Sequence, residues 1–306
     1  MRGRVAAAGM VGLLVGVLVV GAAVRFGPGL VSADAGEQPA RPVVRVPKSP
    51  AGTPTAAPKR SGQPSSAVTI IKDQTLVQNG LYKAGRVPTV SCKLPAGEQT
   101  SKAAVLATAT VMIGCLDRAW VSVVARAGHY YESPGLVVFD RAKDKGCGLR
   151  KIHASAFYCT AENKIYLEWK EYLQDGSWNQ RVDLVDTMAH EYGHHLQRLS
   201  GILSYGWDPV ASVTSPAALL KSRRLELQAS CFGAAFLGAN KKVLRLTGAR
   251  EQIWEYQTRH SGDEYNPAKI HDHGSRKNHW LWSGPAFQST NPASCNTWSA
   301  PAKKVS

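Results

Sequence analysis

The sequence predicts an α+β domain, mostly helical with a small β-sheet, behind an N-terminal transmembrane helix. Three observations carry that prediction. An uncharged apolar run extends from Val5 to Val24. Two longer segments, around 182–199 and 216–237, space their apolar residues for burial of one helical face. Two short segments, Leu136–Phe139 and Lys164–Trp169, are patterned as strands.

The apolar run follows Met1-Arg2-Gly3-Arg4, and its 20 residues are long enough to span a bilayer. A cleaved signal peptide has a shorter apolar core of about 7 to 15 residues, so the length favours an uncleaved signal anchor. Arg2 and Arg4 keep the first residues cytoplasmic and place the rest of the chain outside, as a single-pass protein of the cell membrane. Arg25, on the far side, weakens that asymmetry slightly, and Ala33-Asp34-Ala35 offers an alternative in which the chain is cleaved and secreted. Residues 25–66 are rich in Pro, Gly, Ser, Thr and Ala and poor in large apolar side chains. Such a stretch cannot bury a core and reads as a disordered stalk. The expected organisation is a cytoplasmic tail at 1–4, a membrane helix at 5–24, the stalk at 25–66 and one globular domain at 67–300.

Within the domain, residues 101–126 read as a long apolar helix closed by Arg126-Ala127-Gly128. Leu136-Val137-Val138-Phe139 reads as a buried strand. Lys164-Ile165-Tyr166-Leu167-Glu168-Trp169 alternates polar and apolar residues, as a strand with one buried face does. The helix from Val182 to Leu199 comes next, then a loop through Gly206 and Pro209, then a helix from Pro216 to Leu237.

All six cysteines lie beyond the membrane segment, which on the exported side suggests disulfides. Six cysteines allow 15 pairings. The pairing adopted is Cys92 with Cys115, Cys147 with Cys159 and Cys231 with Cys295, of which only the second rests on local proximity. No C-x-x-C spacing is present, which argues against thiolate metal ligands. The 37 basic and 22 acidic residues give a net charge of +15. The charges are scattered, as in Lys221, Arg223 and Arg224 or Lys241 and Lys242, so a solvated surface is the default reading. Attraction to an anionic cell envelope is compatible with it. The topology keeps the domain away from nucleic acid.

The segment that names a chemistry is His190-Glu191-Tyr192-Gly193-His194. On a helix, two His four residues apart face the same way and can bind one Zn²⁺, while the intervening Glu falls beside them as a general base. Apolar residues at 182, 184, 185, 188, 196 and 199 place the motif on a buried amphipathic helix. Gly193 costs helix stability, and its small size fits close backbone packing behind a metal. A catalytic zinc takes three protein ligands and keeps one open position. The extension H-E-x-x-H-x-x-G-x-x-H is excluded, because Gln197 and Ser200 stand where Gly and His would be needed. His195 projects to another face, and His260, His271 and His273 lie far downstream. Glu226 sits inside the apolar run of the second helix and needs a partner there. Zn²⁺ supplies one, which makes Glu226 the favoured third ligand; Arg223, three residues earlier, is the alternative.

The chain resembles the bacterial putative neutral zinc metallopeptidases that carry an N-terminal membrane segment. The blocks that carry the resemblance are Ala156-Phe157-Tyr158-Cys159 leading into Lys164-Ile165-Tyr166-Leu167, then His190 through Gln197, then Glu226-Leu227-Gln228-Ala229-Ser230-Cys231, and last His273-Gly274-Ser275 before Trp280. The resemblance implies a gluzincin-like zincin fold, one Zn²⁺ on His190, His194 and Glu226, Glu191 as base, and a protein or peptide substrate. It also suggests that His273 donates a hydrogen bond to the oxyanion of the reaction; a loop His capping a helix is the competing reading. In related peptidases the strand before the motif helix often borders the cleft and pairs with extended substrate, and the 164–169 segment fits either that role or a plain structural strand. One departure stands out. The family's second motif reads E-L-Q-A-D, and Ser230 replaces the Asp that orients a ligating His from behind. Losing such a partner costs about 10 to 100-fold in metal affinity or activity, so a degenerate zincin that holds zinc or an envelope partner without catalysis is the alternative function.

Overall fold

The computed structural model describes residues 74–147, 154–175, 177–206, 215–265 and 271–306. The expected tail, membrane helix, stalk and cleavage site lie outside the described residues, as does the Pro209 loop.

Helix α1 (Lys102–Arg126) starts at Ser101, whose side chain accepts the Ala104 N–H, and ends where Gly128 turns left-handed at φ +81°. By length and composition it could cross a membrane. Here it is a core helix, with Val105, Ala109, Met112, Leu116, Trp120, Val123 and Val124 buried. Trp120 meets Phe232 edge-on at 6.0 Å between ring centres, which joins α1 to α4 (Pro216–Asn240).

Strands β1 (Gly135–Phe139), β2 (Ala156–Cys159) and β3 (Lys164–Glu168) form one sheet in the order β1-β3-β2, with β1 parallel and β2 antiparallel to β3. This corrects two expectations from patterning. Strand β3 is central and buried on both faces, because its polar residues are satisfied locally: the Tyr166 hydroxyl donates to Glu162 at 2.7 Å, and Glu168 accepts the Arg141 and Lys170 N–H groups. With both its edges paired, β3 has no free edge for an extended substrate. Strand β1, expected to be buried, is an edge strand whose residues 136–138 are only half-buried. Strand β2, quoted as a sequence block but not assigned, is the other edge and is buried throughout.

Helix α2 (Asn179–Leu199) carries the His-Glu motif, and the short helix α3 (Ile202–Gly206) takes the place of the first part of the expected loop. Helix α4 crosses α2 in backbone contact. A Cβ added at Gly193 would lie 2.4 Å from the Ala229 carbonyl oxygen, and one at Gly233 would lie 2.9 Å from the Ala189 carbonyl carbon. No side chain larger than hydrogen fits there. One turn from the Gly193–Ala229 contact, His190 on α2 and Glu226 on α4 are brought face to face. Two helices not assigned from the sequence, α5 (Ala249–Arg259) and α6 (Arg276–Ser289), complete the bundle; Trp254 stacks on Phe287 at 4.1 Å between them.

The three disulfides are Cys92–Cys115, Cys147–Cys159 and Cys231–Cys295. The second belongs to a small separate cluster with Phe139, Phe157 and Tyr166, under the sheet.

Candidate metal centre

His190 Nε2, His194 Nε2 and Glu226 Oε2 converge. The two nitrogens are 3.1 Å apart, and the carboxylate oxygen is 3.3 Å from the first and 3.4 Å from the second. Tetrahedral bonds of about 2.0–2.1 Å put neighbouring ligand atoms about 3.3 Å apart, so these separations fit one Zn²⁺. Protonation states point the same way. The His194 Nδ1 lies 2.9 Å from the Gln197 Oε1. That oxygen only accepts, since the Gln197 amide nitrogen donates to the Leu225 carbonyl at 2.7 Å and to Gln228 Oε1 at 3.1 Å. His194 therefore keeps its proton on Nδ1 and presents a lone pair at Nε2. The two Nε2 atoms lie within hydrogen-bond distance of each other, while Glu226 Oε2 makes no hydrogen bond; a cation at their centre would satisfy all three buried atoms at once.

The charges follow from this crowding. Burial pushes His190 down to about 4, against the pull of Glu226, so its imidazole is neutral and ready to coordinate. Burial would also lower His194, but the Glu226 carboxylate outweighs it and the net direction is up. Burial would raise Glu226; the imidazoles of His194, His273 and His190 hold it well below the usual carboxylate range. Arg223 is not its partner. That guanidinium donates to the Val305 and His271 carbonyls, at 2.9 and 2.6 Å.

Glu191 is fully buried, and neither of its oxygens has a hydrogen-bond partner among the described residues. Burial, with Glu226 adding to it, pushes its carboxyl up to about 8, while His194, His273 and the Tyr158 backbone act in opposition. Ser230 Oγ lies 2.9 Å from the His190 Nδ1. His195 turns away, as its position around the helix predicts, to the Glu132 carbonyl at 2.7 Å.

The structure brings His273 to the same place, with its Nε2 3.8 Å from Glu226 Oε2. It is not a helix cap; Ser275 holds the N-cap position of α6. Burial would lower its pKa, but Glu226, Asp272 and Asp263 outweigh it and raise it to about 10. Its Nδ1 pairs with Asp272 at 2.6 Å, and Asp263 accepts the backbone N–H groups of His273 and Gly274 at 3.0 and 2.7 Å. His260 and His271 are not among the groups that could share a metal with the α2 histidines.

Four residues of this surrounding escaped the sequence reading. Gln197 stands in the block that carries the family resemblance and excludes the longer motif; its spacing of three from His194, which puts both on one helical face, is the signal for its contact with that imidazole. Asp272 adjoins His273. Asp263 and the buried His279, pushed down to about 3 by burial first and then by the charge of His273, leave no local signal.

The family model described as "Putative neutral zinc metallopeptidase" matches residues 67–298. Among curated proteins, the chain is 26% identical over 204 residues to the uncharacterized protein YpfJ of Escherichia coli K12, covering 62% of this chain and 70% of that protein. It is 24% identical over 192 residues to the uncharacterized proteins Rv2575 of Mycobacterium tuberculosis and Mb2605 of Mycobacterium bovis, covering 56% of this chain and 64% of each. No solved structure matches it.

Proposed function

The chain belongs to the family described as putative neutral zinc metallopeptidases, and from that premise we propose that it is an exported, membrane-tethered zinc peptidase with a gluzincin-like zincin fold. The observation that carries the reading is the convergence of His190 Nε2, His194 Nε2 and Glu226 Oε2 beside the unpartnered carboxylate of Glu191.

His190, His194 and Glu226 would hold the metal. Zn²⁺ bound there supplies Lewis acidity, which polarises a scissile carbonyl and makes a water nucleophilic near neutral pH. Glu191 takes the proton of that water and passes it to the departing amine. A base buried without competing hydrogen bonds and with a raised pKa suits both transfers. Gln197 and Ser230 hold the two imidazoles by Nδ1, which keeps both Nε2 atoms aimed at one point. His273, oriented by Asp272, presents Nε2 as a donor to negative charge building on the substrate oxygen. Three disulfides in the domain support export to an oxidising compartment, and the apolar N-terminal run supports tethering.

The test is Glu191→Gln in the full chain. Zinc content stays at one per chain while hydrolysis of a peptide library disappears; hydrolysis at the parent rate overturns the mechanism. A second reading, zinc held without turnover, is favoured by one observation: the group behind His190 is the uncharged Ser230. Stoichiometric zinc with no cleavage of any library peptide by the parent protein selects it.

A further inference from the structure

On the far side of α2 from His190, a shallow hollow, open to solvent, lies between the start of α2, the turn after α4 and the start of α5. Its floor is apolar, with Val182, Val185 and Leu246 buried. Around it stand the guanidiniums of Arg181, Arg245 and Arg250 and the indole of Trp178. Arg181 precedes His190 by nine residues, roughly 180° around the helix at about 100° per residue. The hollow is therefore separate from the candidate metal centre.

Among the described residues, no carboxylate pairs with any of the three arginines. Arg181 donates to the carbonyls of Gly97 and Pro95, at 2.8 and 2.5 Å, and Arg250 to the Arg245 carbonyl at 3.3 Å. Two of the cations are held by Trp178. Its ring centre lies 3.3 Å from the Arg250 guanidinium and 5.6 Å from that of Arg181. A ring positions a cation without neutralising it. After burial, the charges of Arg250 and Arg245 are what push the Arg181 pKa down. Such repulsion is relieved by an anion seated among the three.

Two further observations agree. Arg245 adopts φ +57°, in the left-handed turn that follows α4, where Leu246 N–H returns to the Lys241 carbonyl at 2.7 Å. Glycine is the residue that takes this conformation without strain. An arginine there carries a backbone cost, and its side chain lines the same hollow as Arg181 and Arg250. Helices α2 and α5 also both begin at the rim, at Trp178 and Gly248, and neither has a side-chain cap. Their positive ends add to the field.

We propose that this hollow binds a phosphate group, with its oxygens on Arg181, Arg245 and Arg250. Three guanidiniums lining one hollow match the three oxygens of a phosphate face, whereas a carboxylate offers two. The phosphate, seated at the mouth of the hollow, is either a free ion or the headgroup of an anionic lipid.

The discriminating variant is Arg245→Gly in the full chain. It removes one guanidinium and relieves the left-handed backbone, so stability and binding move in opposite directions. Titrated with inorganic phosphate, the parent gains melting temperature in a salt-sensitive way. Arg245→Gly starts at a higher melting temperature and binds about tenfold more weakly. Arg250→Gln repeats the binding loss independently of the turn. If inorganic phosphate has no effect but phosphatidylglycerol vesicles retain more of the parent than of Arg245→Gly, with phosphatidylcholine vesicles as reference, the ligand is a lipid headgroup. Equal behaviour of parent and both variants towards both probes overturns the proposal.

Discussion

Ser230 Oγ stands 2.9 Å behind the Nδ1 of His190, in the position from which a carboxylate would make that imidazole a stronger ligand. A hydroxyl fixes the ring orientation and tautomer but adds no charge. Replacing Ser230 with Ala removes the orientation and lowers zinc affinity about tenfold; Ser230→Asp raises it above the parent value. Competition with a chromophoric chelator measures both. Equal zinc affinity in the Ala variant and the parent means Ser230 does not position His190.

Gly193 and Ala229 set how closely α2 approaches α4. A methyl at Gly193 meets the Ala229 carbonyl oxygen at 2.4 Å and its Cα at 2.7 Å, whereas one at Gly233 meets its nearest atom at 2.9 Å. Gly193→Ala forces the helices apart and loses about 2–3 kcal/mol, with Gly233→Ala costing less. Because the same crossing aligns Glu226 with His190 and His194, zinc affinity falls with stability in Gly193→Ala. Gly114 on α1 serves as a control, since its nearest neighbour is the flexible end of Arg118 at 3.4 Å. Gly114→Ala gains up to about 1 kcal/mol. Urea midpoints compare the three, and a Gly193→Ala variant as stable as the parent contradicts this account of the crossing.

The His-Glu motif was legible because its chemistry and its apolar flanks repeat with one helical period. Glu226 was legible because an acid in an apolar run needs a counter-charge. The central position of β3 was not, since alternation looks the same whether Glu168 reaches solvent or is buried against the Arg141 and Lys170 amides. Helices α5 and α6 were missed for a similar reason. Arg259 lies over the Trp280 ring at 3.6 Å, and Trp254 donates to Asp186 at 2.8 Å, so these helices pack through aromatic and polar contacts that leave a weak apolar stripe. The support of His273 by Asp263, ten residues away, depends on a loop closure that no spacing encodes.

Asp183 on α2 gives the stability a pH dependence away from the metal centre. Burial first, then the neighbouring charges of Asp186 on the same helix and Glu171 in the turn after β3, push its carboxyl up to about 8. Glu171 is itself bridged to Arg141 at 3.0 Å, and the Tyr172 ring, whose pKa Asp183 helps raise, faces it from the same turn. A carboxyl with a raised folded pKa binds its proton more tightly in the folded state. Its contribution is present at low pH and lost as pH rises from about 4 to about 8, at no more than about 1.4 kcal/mol per pH unit. Partial exposure of Asp183 reduces that slope. Asp183→Asn keeps the shape without the titration, so its urea midpoint exceeds the parent's at pH 8 and the difference closes by about pH 4. A difference that is constant over this range rules out Asp183 as the source.

Each disulfide closes a loop of different length, and this ranks the cost of removing them. The separations are 64 residues for Cys231–Cys295, 23 for Cys92–Cys115 and 12 for Cys147–Cys159. The chain-entropy relation gives about 4.3, 3.4 and 2.8 kcal/mol in that order. Local structure widens the gap. Cys231 is buried on α4 one residue after Ser230, and Cys295 lies in the turn after α6, so the longest bridge ties the carboxy-terminal residues to the helix that carries Glu226. Cys147–Cys159 supports only the small cluster under the sheet. Paired Cys→Ser variants therefore lose urea midpoint in the order of loop length, and zinc affinity drops most when Cys231 and Cys295 are replaced. If the Cys147–Cys159 pair proves the most costly, the sheet-side cluster rather than the α4 tether dominates the fold.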